Sequence, residues 1–288
     1  MANFEKKQLV AGLYFVATPI GAARDITLRG LDILASADVI AAEDTRTLRR
    51  LMDIHGIALQ DRMLIPYHDH NGDKVRPRLM RLIEEGKSVA YASEAGTPLV
   101  ADPGYGLARG VIDAGFAVIG APGPSAVIAA LTVGGLPTDR FFFAGFAPNA
   151  TGARKNFFEE YANVPGTLVF YESPKRIHAM LGDLVVTLGG DRQAAVCREL
   201  TKRFEEVSRG TLDELHAQFS ERSVKGEIVV LVDRVRTVGV SDQSMEDALR
   251  EAMKTMRIKD AATAVAEALE MPKRKVYQAA LALNKDKG

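Results

Sequence analysis

The sequence has no tryptophan and one cysteine, Cys197, in 288 residues. A single thiol excludes an intrachain disulfide and a cysteine-based metal cage, and it suits a reducing compartment. Cys197 ends the strand-like run Ala194-Ala195-Val196-Cys197, where it reads as a small buried hydrophobe rather than a nucleophile. Excess charge is also lacking: 37 basic and 37 acidic residues balance to zero. Neutrality excludes a cationic nucleic-acid condenser but leaves room for a local basic face. With 47% hydrophobic and 26% charged residues, the chain is neither disordered nor fibrous. Its length predicts a sizeable core and about two domains.

A membrane span is missing as well. Residues 114–138 carry no charge, but Pro122, Pro124, Pro137 and several glycines interrupt them, which lipid does not tolerate. They read as a buried strand (116–119), a tight loop and a buried helix (125–133). The apolar run 9–17 follows Glu5, Lys6 and Lys7 and mimics a secretory leader. It breaks at Thr18-Pro19 without a small-residue cleavage site, so Leu13 to Val16 reads as a first strand and a cytoplasmic protein is expected. Three nucleotide and nucleophile signatures are absent: the phosphate-binding Gly-x-x-x-x-Gly-Lys-Ser/Thr loop, Gly-x-Gly-x-x-Gly after strand one, and the Gly-x-Ser-x-Gly elbow.

What is present is an alternation. Strands are expected near 12–18, 37–42, 88–93, 116–120, 141–145, 167–171, 193–198 and 226–233. Helical patterns lie between most of them: 28–34, 45–54, 74–85, 105–114, 154–161 and 174–188. This predicts an α/β fold with a largely parallel sheet, whose ligands sit at the carboxyl ends of strands. A hinge between two α/β lobes is expected near 134–150, and a linker at 234–244. Beyond it, three short amphipathic helices (244–256, 259–270 and 272–283, with Pro272 in the first turn of the last) form a helix-turn-helix-like unit. The expected domains are 1–135, 136–238 and 239–288.

The strand-end loops carry the chemistry. They are Ala17-Thr18-Pro19-Ile20-Gly21, Ala42-Glu43-Asp44-Thr45-Arg46, Ser93-Glu94-Ala95-Gly96-Thr97-Pro98 with Asp102-Pro103-Gly104, Pro122-Gly123-Pro124-Ser125-Ala126, and Tyr171-Glu172-Ser173-Pro174. Such loops at successive strand ends point to a built pocket. They offer backbone groups, small side chains and acids rather than a basic phosphate cradle, which suits a zwitterionic or nucleoside-like ligand. Tyr67-His68-Asp69-His70-Asn71 has cation-binding character, but no second histidine cluster supports it, so no metal is assigned.

With these motifs in order over nearly the whole chain, the sequence resembles the tetrapyrrole methylase superfamily of S-adenosylmethionine-dependent methyltransferases. Within it, the sequence is most similar to the ribosomal RNA small subunit methyltransferase I branch. The resemblance implies two α/β lobes with the cofactor in the cleft between them, a homodimer, and 2′-O-methylation of a cytidine ribose in the decoding region of 16S rRNA. It implies cofactor contacts at Gly96, Thr97, Pro98, Ser125, Ala126, Phe146, Tyr171, Gly226 and Glu227. Tetrapyrrole-modifying members carry a glycine-rich first loop, whereas here Thr18-Pro19-Ile20-Gly21 stands. That favours an RNA acceptor, either 16S rRNA or the small ribosomal subunit, over a porphyrin. A methyltransferase for a tetrapyrrole or other small molecule stays open, as does a non-enzymatic nucleic-acid-binding protein with an α/β sensor domain.

Transfer to a ribose hydroxyl requires a proton acceptor. Asp44, Glu94, Asp102 and Lys175 stand on suitable loops. A carboxylate accepts directly, whereas Lys175 does so only if burial lowers its pKa. Asp44 and Glu94 are therefore favoured, although Asp44 also precedes a helix and Asp102 a Pro-Gly turn. Residues 46–82 hold eight cations against four carboxylates, and residues 273–288 hold five against one. Each stretch is net +4, which assigns Arg46, Arg49, Arg50, Arg76, Arg78, Lys273, Arg274 and Lys275 to phosphate contacts.

Overall fold

The computed structural model describes residues 3–68, 70–220, 222–235, 242–269 and 273–285. The chain divides into two compact units, Met1–Arg234 and Val235–Gly288. The first unit holds two five-stranded sheets.

The first sheet comprises β1 (Gly12–Val16), β2 (Val39–Ala42), β3 (Met63–Pro66), β4 (Ser88–Ala92) and β5 (Ala117–Ala121). Its strands run wholly parallel in the order β3-β2-β4-β1-β5. β1, β2 and β4 are buried along their whole length, as helix-covered parallel strands must be. Side chains alternate between two cores: Tyr14 and Val16 join Leu34 and Leu48 on one face, while Leu13 and Phe15 join Leu79 and Leu107 on the other. The covering helices are α1 (Leu28–Ser36), α2 (Thr45–Ile54), α3 (Gly72–Glu84) and α4 (Tyr105–Asp113). Two of them start on side-chain caps: Thr27 accepts from the Gly30 amide, and Asp44 accepts from Arg46 and Thr47. The register aligns Val16 with Ala92 and Ala121, and Ala42 with Ala92, so the loops after these strands leave from one edge.

The second sheet comprises β6 (Phe141–Phe146), β7 (Thr167–Glu172), β8 (Gln193–Arg198), β9 (Glu206–Thr211) and β10 (Ile228–Val232), in the order β6-β7-β10-β8-β9. Only β6 and β7 are parallel; the other pairings are antiparallel. This corrects the expectation of a largely parallel sheet for this half of the chain. Apolar runs such as Ile228–Val232 look alike in either direction, because burial on both faces sets their composition. On one face lie helices α6 (Thr151–Tyr161), α7 (Ile177–Leu188) and α8 (Leu212–Ser220), which follow α5 (Ala126–Gly134) in the chain. On the other face α5 packs against β8, β9 and β10, together with Ile20 and Val100 from the first sheet's loops. The helix before residue 135 thus belongs by packing to the second sheet, and Cys197 lies buried in this shared core.

One expectation needs correction, and two strands lie where none is expected. β5 is an edge strand with Ala117 and Gly120 exposed, not a buried strand. β3 and β9 give no sequence signal because they are polar or short edge strands: β9 reads Glu-Val-Ser-Arg-Gly-Thr with only Ser208 buried.

The second unit contains α9 (Asp242–Ala252), α10 (Ile258–Ala268) and α11 (Lys273–Lys285), packed around Met245, Leu249, Val265, Val276 and Ala280. The expected linker falls largely on 236–241, and Pro272 and Lys287 are also among the positions outside the described residues.

Candidate functional site

A cavity of about 420 Å3 opens where the carboxyl ends of the first sheet face the β6, β7 and β10 ends of the second. This is within the ~300–1,000 Å3 range of small-molecule pockets. Five acidic residues line it: Glu43, Glu94, Asp102, Glu172 and Glu227. Apolar surface comes from Ile20, Ala95, Ala126, Phe146, Tyr171 and Ile228.

Of the residues expected at the cofactor, Ala126, Phe146, Tyr171, Gly226 and Glu227 line this cavity. Gly96, Thr97, Pro98 and Ser125 stand just behind it and shape its loops. Gly96 adopts φ +84° and exchanges two backbone hydrogen bonds with Thr18, tying the loops after β4 and β1 together. The Thr97 hydroxyl donates to the Pro124 carbonyl at 2.9 Å, and Ser125 begins α5. Gly226 adopts φ +92°, which strains any residue with a Cβ, and a Cβ there would also press on the Glu199 carboxylate.

The rings of Phe146 and Tyr171 meet edge to face at 5.4 Å, and Phe146 is 58% exposed at the cavity rim. Burial pushes the Tyr171 phenol up to about 12, helped by the Asp102 and Glu227 carboxylates and opposed by the Val127 backbone amide. Burial is also the largest influence on Glu94, followed by the negative charges of Glu43, Asp44 and Glu227; together they hold its carboxyl above the ordinary range. Glu227 is held by Lys202 at 3.0 Å.

The other candidate catalytic residues are placed differently. Asp44 caps α2, and the Arg46 and Thr47 backbone amides hold its pKa below the ordinary value. Lys175 is exposed and follows Pro174, which lines the cavity; Lys175 itself does not. Glu43, Ile20, Ala101, Glu172 and Ser173 complete the lining; all but Ala101 stand in the strand-end motifs quoted above, but sequence reasoning assigns none of them a role. A signal for Glu43 exists: in Glu43-Asp44 the residue immediately before a helix takes the cap, which leaves its neighbour free.

Arg46, Arg49 and Arg50 are exposed on α2, whose amino end adjoins the cavity loop. Arg76 is half-buried and pairs with Asp73 at 2.7 Å, while Arg78 is exposed on α3. Lys273, Arg274 and Lys275 form the exposed first turn of α11 in the second unit. His68 and His70 have ring centres 5.9 Å apart, and Asp69 between them lies outside the described residues.

Residues 12–216 match the sequence model of the Tetrapyrrole (Corrin/Porphyrin) Methylases, and residues 239–284 match the RsmI C-terminal HTH domain. Ribosomal RNA small subunit methyltransferase I of Mesorhizobium japonicum is 44% identical over 98% of this chain and 95% of its own. Its Vibrio cholerae namesake is 43% identical over 92% of this chain and 93% of its own. Among solved structures, diphthine synthase superposes with a TM-score of 0.59 at 16% identity, covering 77% of this chain and 89% of that one. Uroporphyrin-III C-methyltransferase of Thermus thermophilus, complexed with S-adenosylhomocysteine, gives a TM-score of 0.53 at 19% identity, covering 76% and 96%. The chain therefore belongs to the tetrapyrrole methylase family, in its ribosomal RNA small subunit methyltransferase I branch.

Proposed function

We propose that this protein transfers the methyl group of S-adenosylmethionine to the 2′-oxygen of a cytidine in the decoding region of 16S rRNA. The observation that carries the reading is the cavity itself: two aromatic rings and five carboxylates, with no lysine or arginine among the described residues that line it. An acid-lined pocket suits a ligand with a sulfonium and an ammonium group and opposes a polyphosphate. The names of the relatives support rRNA as acceptor. The cofactor complex of a structural neighbour supports the cofactor class.

In this reading Phe146, Tyr171, Ala126 and the 226–227 backbone hold the cofactor, with the loops at Gly96, Thr97, Pro98 and Ser125 fixing their positions. When bound, the cofactor supplies an activated methyl group on a good, neutral leaving group. The protein's part is to bring the ribose hydroxyl into line and take its proton. Glu94 would take that proton from the ribose hydroxyl. Its raised pKa makes it a stronger base than an ordinary carboxylate. Asp44 is committed to its helix, and Lys175 would have to swing inward to serve. The exposed arginines of α2, with Arg76 and Arg78, contact rRNA phosphates, as do Lys273, Arg274 and Lys275. We read the protein as a cytoplasmic homodimer; exposed Ile128 and Phe141 line a separate hollow at the start of β6 that a second copy would cover. No described helix is long and apolar enough to cross a membrane.

The test combines binding and transfer. Wild-type protein given methyl-labelled S-adenosylmethionine should label naked 16S rRNA or undermethylated small subunits. Glu94→Gln should bind S-adenosylhomocysteine within about threefold of wild type yet transfer methyl about a hundredfold more slowly. Cofactor binding without any label in RNA would overturn the rRNA assignment and favour a small-molecule acceptor.

A further inference from the structure

Two cavity loops are held by one ion pair between a buried carboxylate and a half-buried guanidinium. Glu172, the last residue of β7, has a fully buried side chain and lines the cavity. Its Oε1 accepts from the Ser173 amide at 2.7 Å, and its Oε2 lies 3.3 Å from the Arg176 guanidinium. Arg176, at the start of α7, reaches across to the loop after β6. There it donates to the Ala147 carbonyl at 2.7 Å, the Pro148 carbonyl at 3.0 Å and the Asn149 side chain. These acceptors directly follow Phe146, and Glu172 directly follows Tyr171.

A buried charge is tolerated only when paired and hydrogen-bonded. A charged brace at the cavity wall therefore calls for a reason beyond packing. An arginine presents several donors in a rigid planar fork, so it can fix three oxygens of one loop at once. The far end of the loop is also held by Arg154, which donates to the Asn149 carbonyl at 3.1 Å, while Pro148 has no amide hydrogen of its own to offer. Phe146 is more than half exposed, so packing alone does not hold its ring.

We infer that Glu172 and Arg176 are positioning residues: their ion pair locks the loops after β6 and β7 so that Phe146 and Tyr171 form a fixed wall for the cofactor. This rests on the cofactor reading above. Misplacement of a binding group by about 1 Å can cost orders of magnitude, and such placement is set by the residues behind it.

The experiment is calorimetry with S-adenosylhomocysteine on the full chain, with circular dichroism and thermal melts on every variant. Glu172→Gln and Arg176→Lys keep size and remove the charge pairing or the fork. Asn149→Ala removes one exposed acceptor and leaves the ion pair intact, so it remains informative if the other two do not fold. Arg192→Gln is the stability control, because it removes a half-buried guanidinium at the opposite end of the same sheet, where Arg192 bonds the Asp233 carbonyl. We expect Glu172→Gln and Arg176→Lys to weaken binding about tenfold or more and Asn149→Ala about threefold. Arg192→Gln should stay within about twofold despite a lower melting temperature. Unchanged binding in the folded loop variants, or an equal loss in Arg192→Gln, overturns the positioning role while leaving the cofactor reading intact. Absence of binding by wild-type protein overturns both.

Discussion

Glu43 accepts the backbone amide of Glu94 at 3.1 Å, so two carboxylates from neighbouring strand ends are held side by side at the cavity. Like charges this close raise the pKa of the one they flank. Glu43→Gln keeps the acceptor and removes the charge. The acid limb of the methyl-transfer pH profile should therefore move to lower pH in Glu43→Gln, because Glu94 then ionises more readily. A shift in the opposite direction would remove Glu43 from this role.

Asp44 and Glu94 are separable by what they support. Asp44→Ala removes the cap of α2 and should cost about 1 kcal/mol of stability in denaturant unfolding. Asp44→Asn keeps an acceptor at the cap and should retain both stability and most transfer activity. A loss in Asp44→Asn as deep as that in Glu94→Gln would make Asp44 the base.

Tyr171 lends its ring to the cavity and packs it edge to face on Phe146. Tyr171→Phe preserves the edge contact with Phe146 and should leave S-adenosylhomocysteine binding within about threefold of wild type. Tyr171→Leu removes the ring and should weaken S-adenosylhomocysteine binding about tenfold. Ultraviolet titration should find the Tyr171 phenol still protonated above pH 11, consistent with its pKa of about 12.

Acid stability should report Glu206. Hydrogen bonds from Arg222, then Arg198, pull its carboxyl down to about 2, from an ordinary value of 4.5. A depressed folded pKa gives stability that is complete above the unfolded pKa and is lost as pH falls toward 2. Glu206→Gln should remove on the order of 2 kcal/mol at neutral pH and flatten the stability profile between pH 4.5 and 2.

The basic face is tested by salt. Replacing Arg46, Arg49 and Arg50 with glutamine should make the salt dependence of rRNA binding shallower, by ~0.7–0.9 for each phosphate that is no longer neutralised. Cofactor affinity should not change. The same replacement at Lys273, Arg274 and Lys275 reports whether the second unit contributes independently.

The sequence is most informative where burial forces composition. Val39–Ala42 and Ser88–Ala92 are buried along their whole length, so their apolar runs announce strands. Met63–Pro66 and Glu206–Thr211 lie at sheet edges, where solvent removes the pattern. Strand direction in the second sheet is invisible for the same reason that its strands are visible: burial on both faces. The cavity loops are legible as glycine- and proline-rich strand ends. Their division into lining residues and supporting ones is not, because it depends on the bridge between Thr18 and Gly96 and on the Thr97–Pro124 bond, which join distant segments. Glu172 stands within a recognisable motif, but its partner Arg176 gains meaning only once the 147–149 loop lies beside it.

The most direct test of the central claim is where the methyl group lands. Undermethylated small subunits and naked 16S rRNA would be incubated with the protein and methyl-labelled S-adenosylmethionine, then digested to nucleosides and resolved by mass spectrometry. The account predicts label in 2′-O-methylcytidine from the decoding region. Label on a base, in another nucleoside, or nowhere in the RNA would contradict it.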